Sequence, residues 1–200
     1  MTTKSPSRLS HALIVALLLL ATAAYLLKMA YLHVLPGSLI ALLLLLMGTW
    51  YLRHYRQTQP PFAVLASLFA ATQVDLWGNF FHMYGQPFGP MQYDEFAHLV
   101  GSGLTVPALV WLLREAARRG DYRLPLGLIT VLAVSLSFSA AALYEIIELW
   151  DELYFGGKRI WTLHDTSNDL QMDLTGKLVG ATITYLVMRG NSLPAHNRVC

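Results

Sequence analysis

Of 200 residues, 55% are hydrophobic and only 13% are charged, which leaves too little polar surface to clothe a water-soluble domain. A net charge of +2, dispersed through short loops, argues against a nucleic-acid partner. The one cysteine, Cys200, excludes an internal disulfide framework and a thiolate metal cluster.

A helix needs about 20 mostly apolar residues to cross a bilayer, and six stretches meet that need. The first runs from about Leu9 to Leu32 and the second from about Leu35 to Leu52, with Pro36-Gly37 at the turn between them. Pro60-Pro61 breaks the chain before a third span, about Phe62 to Tyr84. The segment Gly85-Gln86-Pro87-Phe88-Gly89-Pro90 makes a tight loop, and the fourth span follows from about Tyr93 to Leu113. The fifth, about Leu124 to Leu153, is long enough to tilt. A polar loop at Gly156-Gly157-Lys158-Arg159 leads to the sixth, about Asn168 to Met188. Lys4, Arg8 and Ala21-Thr22-Ala23 also resemble a secretory signal with its cleavage site. Because the apolar run continues to Leu27, an uncleaved first span is expected; cleavage would leave five. The expected fold is thus all-α, a single polytopic transmembrane bundle.

Short loops rich in Lys and Arg stay in the cytoplasm. Lys4, Arg8, Arg53, Arg56, Arg114, Arg118, Arg119, Arg123, Arg189 and Arg198 fall on one side, and only Lys28, Lys158 and Arg159 on the other. Both termini are therefore expected in the cytoplasm of a bacterial-type inner membrane.

Polar residues interrupt the last four spans in stripes. Asp75, Asn79 and His82 are spaced i, i+4, i+7 on the third. The fourth opens with Asp94 and His98, followed on the same face by Ser102 and Thr105. Glu145, Glu148 and Glu152 close the fifth, while His164 and Asp165 precede Asp169, Asp173 and Lys177 on the sixth. Counting along each helix puts Asn79, His98, Glu145 and Asp173 about 7 Å below the outer surface, and Asp75 and Lys177 about 13 Å below it. Equal depth predicts an Asp75–Lys177 ion pair. An unpaired charge in hydrocarbon costs at least ~2.5–3.5 kcal/mol, so these acids must meet one another, water, a cation or a ligand.

Three blocks, Tyr93-Asp94-Glu95-Phe96-Ala97-His98, Tyr144-Glu145-Ile146-Ile147-Glu148, and Asp165 through Asp173 followed by Gly176 and Gly180, resemble the signature of YjdF-like bacterial inner-membrane proteins. More distantly, their order is similar to that of VanZ-like proteins. The likeness spans roughly residues 75–185; the 4,4 spacing of Asp165, Asp169 and Asp173 departs from the tighter first spacing of the family. It implies a multi-pass inner-membrane protein and no particular reaction.

Carboxylates and imidazole on facing helices form a ligand set for a divalent ion such as Zn, Mn, Fe or Mg. On the enzyme reading, His98, Glu145, Asp169 and Asp173 are ligands, Asp94 orients a ring nitrogen, and Glu148 is the general base. Asp75, Asn79, His82, His164, Asp165 and Lys177 complete the pocket. The activity is then metal-dependent hydrolysis or transfer on a lipid-linked or phosphorylated substrate that enters from the bilayer. Two other readings stay open: a proton- or cation-binding transporter, and a structural protein whose buried acids only fix packing.

Overall fold

The computed structural model describes Trp50, residues 58–156, Ile160 and residues 164–192. The first expected span, all of the second but Trp50, and the signal-like segment lie outside the described residues.

Four helices correspond to the third through sixth expected spans: α1 (Phe62–Phe80), α2 (Tyr93–Arg119), α3 (Leu126–Trp150) and α4 (Asp165–Ser192). Helix α1 starts where Pro61 can only accept; its carbonyl takes the N–H groups of Val64 and Leu65 at 3.0 and 3.2 Å. The helix stops four residues short of the expected Tyr84. There the Met83 N–H returns to the Gly78 carbonyl at 2.8 Å and the His82 N–H to Asn79 at 3.3 Å. These two bonds close a Schellman motif, which requires a left-handed residue, and His82 supplies it at φ 54°. The expected Asp75–Asn79–His82 stripe therefore breaks at its third member, which sits exposed in the turn.

A two-stranded hairpin pairs β1 (Pro87–Phe88) with β2 (Met91–Gln92) around Gly89-Pro90. The Gln92 N–H donates to the Glu95 carboxylate at 3.0 Å, half of a capping box that starts α2. Asp94 and Glu95 lie in the first turn of α2 and Arg118 and Arg119 in its last, as the helix dipole favours. The helix outruns its expected end at Leu113 because Arg118 and Arg119 both bond Glu115, at 2.7 and 2.6 Å. Helix α3 passes into a π-turn, Asp151–Phe155, that ends at left-handed Gly156. The Ile160 N–H then donates to Glu152 at 3.1 Å.

Helix α2 is central. It packs on α1, α3 and α4, whereas α1 reaches neither α3 nor α4. The α2–α4 crossing is the closest, because main chain meets main chain at glycines. A Cβ on Gly103 would lie 2.8 Å from the Gly176 carbonyl oxygen, and one on Gly180 would strike the Gly103 carbonyl. That carbonyl faces α4 one turn before Pro107, which has no N–H to return to it. Beyond the crossing, Val106, Val110, Ile129, Ala133 and Ala181 form the buried apolar core.

The outer faces are apolar as well. Val131, Leu136 and Ile147 on α3 and Leu178, Ile183 and Val187 on α4 are 52–61% exposed, an extent of apolar surface that water penalises and hydrocarbon does not. By length and composition, Tyr93–Arg119 and Leu126–Tyr154 are each sufficient to cross a membrane.

Candidate functional site

The start of α2, the end of α3 and the start of α4 meet at one end of the bundle, opposite the arginines of Glu115's network. Helices α2 and α4 run side by side in the same direction. A four-residue spacing on each therefore sets two facing columns, Asp94–His98–Ser102 and Asp169–Asp173–Lys177.

The His98 imidazole reaches across from its own column to the other. Its Nε2 is 3.7 Å from Asp94 Oδ1 and 3.9 Å from Asp169 Oδ1, and its Nδ1 is 3.4 Å from Asp173 Oδ1. One ligand atom from each of Asp94, His98 and Asp169 falls within 4.8 Å of the other two. Atoms sharing an ion at about 2.0–2.2 Å sit ~3.0–3.6 Å apart, so a small inward movement of these side chains would suffice to grip one.

Beneath His98 the network is tighter. The Lys177 ammonium, 3% exposed, donates to Ser102 Oγ at 2.5 Å and lies 3.6 Å from Asp173 Oδ1. Ser102 donates in turn to the same Asp173 oxygen. That oxygen thus gathers a hydroxyl, an ammonium and an imidazole edge.

Glu145 approaches from α3. Its carboxylate is 3% exposed, yet its Oε1 has no hydrogen-bond partner among the described residues. It lies within Coulombic reach of His98, Asp173, Asp94 and Glu148. A buried acceptor without a donor costs about 1–3 kcal/mol or more, so this oxygen has a place for a cation or a proton. Glu148, partly exposed, and Asp165, at the start of α4, stand within Coulombic reach of Asp94 at the rim. His164 is exposed just before α4, and its carbonyl accepts from the Asn168 N–H at 2.9 Å.

The third span contributes differently from expectation. Asp75 Oδ1 accepts from Asn79 Nδ2 at 2.9 Å and from the Tyr84 hydroxyl at 2.8 Å. Tyr93, buried at the start of α2, donates to the Val74 carbonyl at 2.6 Å. The Asp75–Lys177 ion pair does not form, because α2 stands between α1 and α4 and Lys177 turns to Ser102 and Asp173. Asp75, braced by Asn79 of its own helix, instead ties α1 to Tyr84 in the loop before α2. Tyr84→Phe should accordingly cost about 1.5–3 kcal/mol, the range for a hydrogen bond to a carboxylate, read as a lower unfolding temperature in detergent with metal content unchanged.

Ser102 and Tyr84 carry bonds that the spacing alone did not assign. A signal for Ser102 is present in the sequence, since it follows His98 by one turn while Lys177 follows Asp173 by one turn.

A family model described as "Predicted membrane protein (DUF2238)" matches residues 8–190. No curated protein and no solved structure shows significant similarity to the chain.

Proposed function

Since this chain belongs to that family of predicted membrane proteins, we propose that it is a multi-pass inner-membrane protein that binds one divalent cation at the outer-leaflet end of α2, α3 and α4. The reading keeps about six spans with both termini in the cytoplasm, on the distribution of Lys and Arg. The three sequence blocks favour its YjdF-like members. The bound ion serves a hydrolase or transferase that acts on a lipid-linked, phosphoryl- or carbonyl-bearing substrate entering from the bilayer.

One observation carries the metal assignment. His98 Nε2 faces oxygens of Asp94 and Asp169 within 4.8 Å, and the buried Glu145 Oε1, within Coulombic reach of His98, has no hydrogen-bond partner among the described residues. Oxygen donors with a single imidazole suit Mn, Fe, Zn or Mg rather than a soft ion. The distances favour Asp94, His98 and Asp169 as ligands, and the buried Glu145 carboxylate, within Coulombic reach of His98, is the candidate for a fourth. Asp173 then takes the orienting role, because it meets the other ring nitrogen of His98 and fixes which nitrogen is free to bind. Glu148 at the rim remains the general base, within reach of water but outside the ligand cluster. A divalent ion in this place would polarise a substrate oxygen and activate water.

Transport would need a polar route onward from the cluster. Below it, Val106 and Val110 are fully buried in the apolar core, and Thr130 and Thr184 spend their hydroxyls on carbonyls of their own helices at 2.9 and 2.7 Å.

Metal analysis of detergent-purified protein should find close to one divalent ion per chain, absent from His98→Ala. Protein that stays metal-free after equilibration with Mn, Fe, Zn and Mg in turn would overturn the reading.

A further inference from the structure

We propose that Lys177 is the pocket's tethered second cation: its ammonium fills the place beside Asp173 that another metal ion would take, and so holds the cluster to one divalent ion. The proposal rests on the metal-binding reading above and deepens it.

Helical bundles that hold two ions line their cores with four carboxylates and two imidazoles. Here the four carboxylates are present as Asp94, Glu145, Asp169 and Asp173, all partly or fully buried, but the imidazole is single. Where a second ion would bind the remaining carboxylate, the structure puts an ammonium 3.6 Å from Asp173 Oδ1.

The ammonium is held there from two directions. Its bond to Ser102 at 2.5 Å, continued by the Ser102 hydroxyl to Asp173, engages both facing helices. Next to it in the chain, Gly176 presses on the α2 main chain at Leu99 and Gly103, so the Lys177 backbone has no freedom to carry the side chain away. An escape to Asp75 is blocked, because among the described helices α1 touches α2 and not α4. With Lys177 in place, Asp173 is neutralised from one side and left to orient His98 from the other.

Removing the charge without disturbing the fold separates this role from packing. Equilibrium dialysis of the full-length protein in detergent against Mn2+ should give one ion per chain for wild type and for Lys177→Arg. In Lys177→Ala, where the vacated space admits water and ion, it should give two, with exchange coupling between them in the electron paramagnetic resonance spectrum. Lys177→Met keeps the side-chain length and fills the space, so it should bind Mn2+ at least tenfold more tightly than wild type because the neighbouring positive charge is gone. One ion in Lys177→Ala, or in its place if it does not fold an unchanged affinity in Lys177→Met, would overturn the proposal while leaving the metal site intact. No Mn2+ in wild type would overturn both.

Discussion

Gly176→Ala is expected to be the most damaging single methyl in the described part of the chain. The added Cβ would strike the Leu99 carbonyl oxygen, with the Leu99 carbonyl carbon at 2.8 Å and the Gly103 nitrogen at 3.2 Å. Overpacking generally costs ~1–3 kcal/mol and occasionally more, and flexible side chains absorb part of it. Here the obstacle is backbone inside a helix, so the cost should lie at or above the top of that range. It would appear as a large fall in unfolding temperature, or as loss of monodisperse protein in detergent. Gly101→Ala provides the opposite sign from the facing helix, α2. Nothing among the described residues lies within 4 Å of a Cβ at Gly101, so the gain in helix propensity, about 0.5–1 kcal/mol, should go uncompensated. Equal effects of the two substitutions would show that α2 and α4 do not cross at Gly176.

The second large effect concerns the two aspartates of α4. Asp169→Asn removes a carboxylate oxygen facing His98 Nε2, whereas Asp173→Asn removes the one facing Nδ1. Loss of a partner that merely orients a metal-binding imidazole typically costs roughly 10–100-fold in affinity. Asp173→Asn should fall within that interval, and Asp169→Asn should lose more. Competition against a fluorescent chelator, titrated with Zn2+, ranks the two directly. The reverse order would return Asp173 to the ligand set and Asp94 to the orienting role.

Much of this site was legible before the fold was known, because oil restricts where acids can go. The i, i+4 spacings of Asp94–His98 and Asp169–Asp173–Lys177 gave the facing columns, and depth counting put them at one end with Glu145. The Asp75–Lys177 pairing failed for want of direction. Counting residues along a helix yields height but not direction around the bundle, so Asp75 and Lys177 were matched by level although α2 separates their helices. Direction is set by which helices touch, and that is decided by glycines whose role becomes visible only when a partner backbone arrives. His82 failed for a local reason. Its stripe assumed a helix through Tyr84, and the Schellman turn at Phe81–Met83 ended it where no glycine marked the stop. Ser102 was placed on the correct face without a task, since its role depends on two residues over 70 positions away.

The glycine crossing has a consequence for how the protein lives in lipid. Helices that interlock through long side chains can slide as rotamers change, and bilayers that thicken or thin supply the force to make them tilt. Helix α2 and helix α4 bear on each other through carbonyls and α-carbons, which have no rotamers to change. Their upper ends carry Asp94 and His98 on one arm and Asp169 and Asp173 on the other, so the pair works as a fixed-jaw gauge. Its opening should therefore keep the same calibre in a thin membrane and in a thick one.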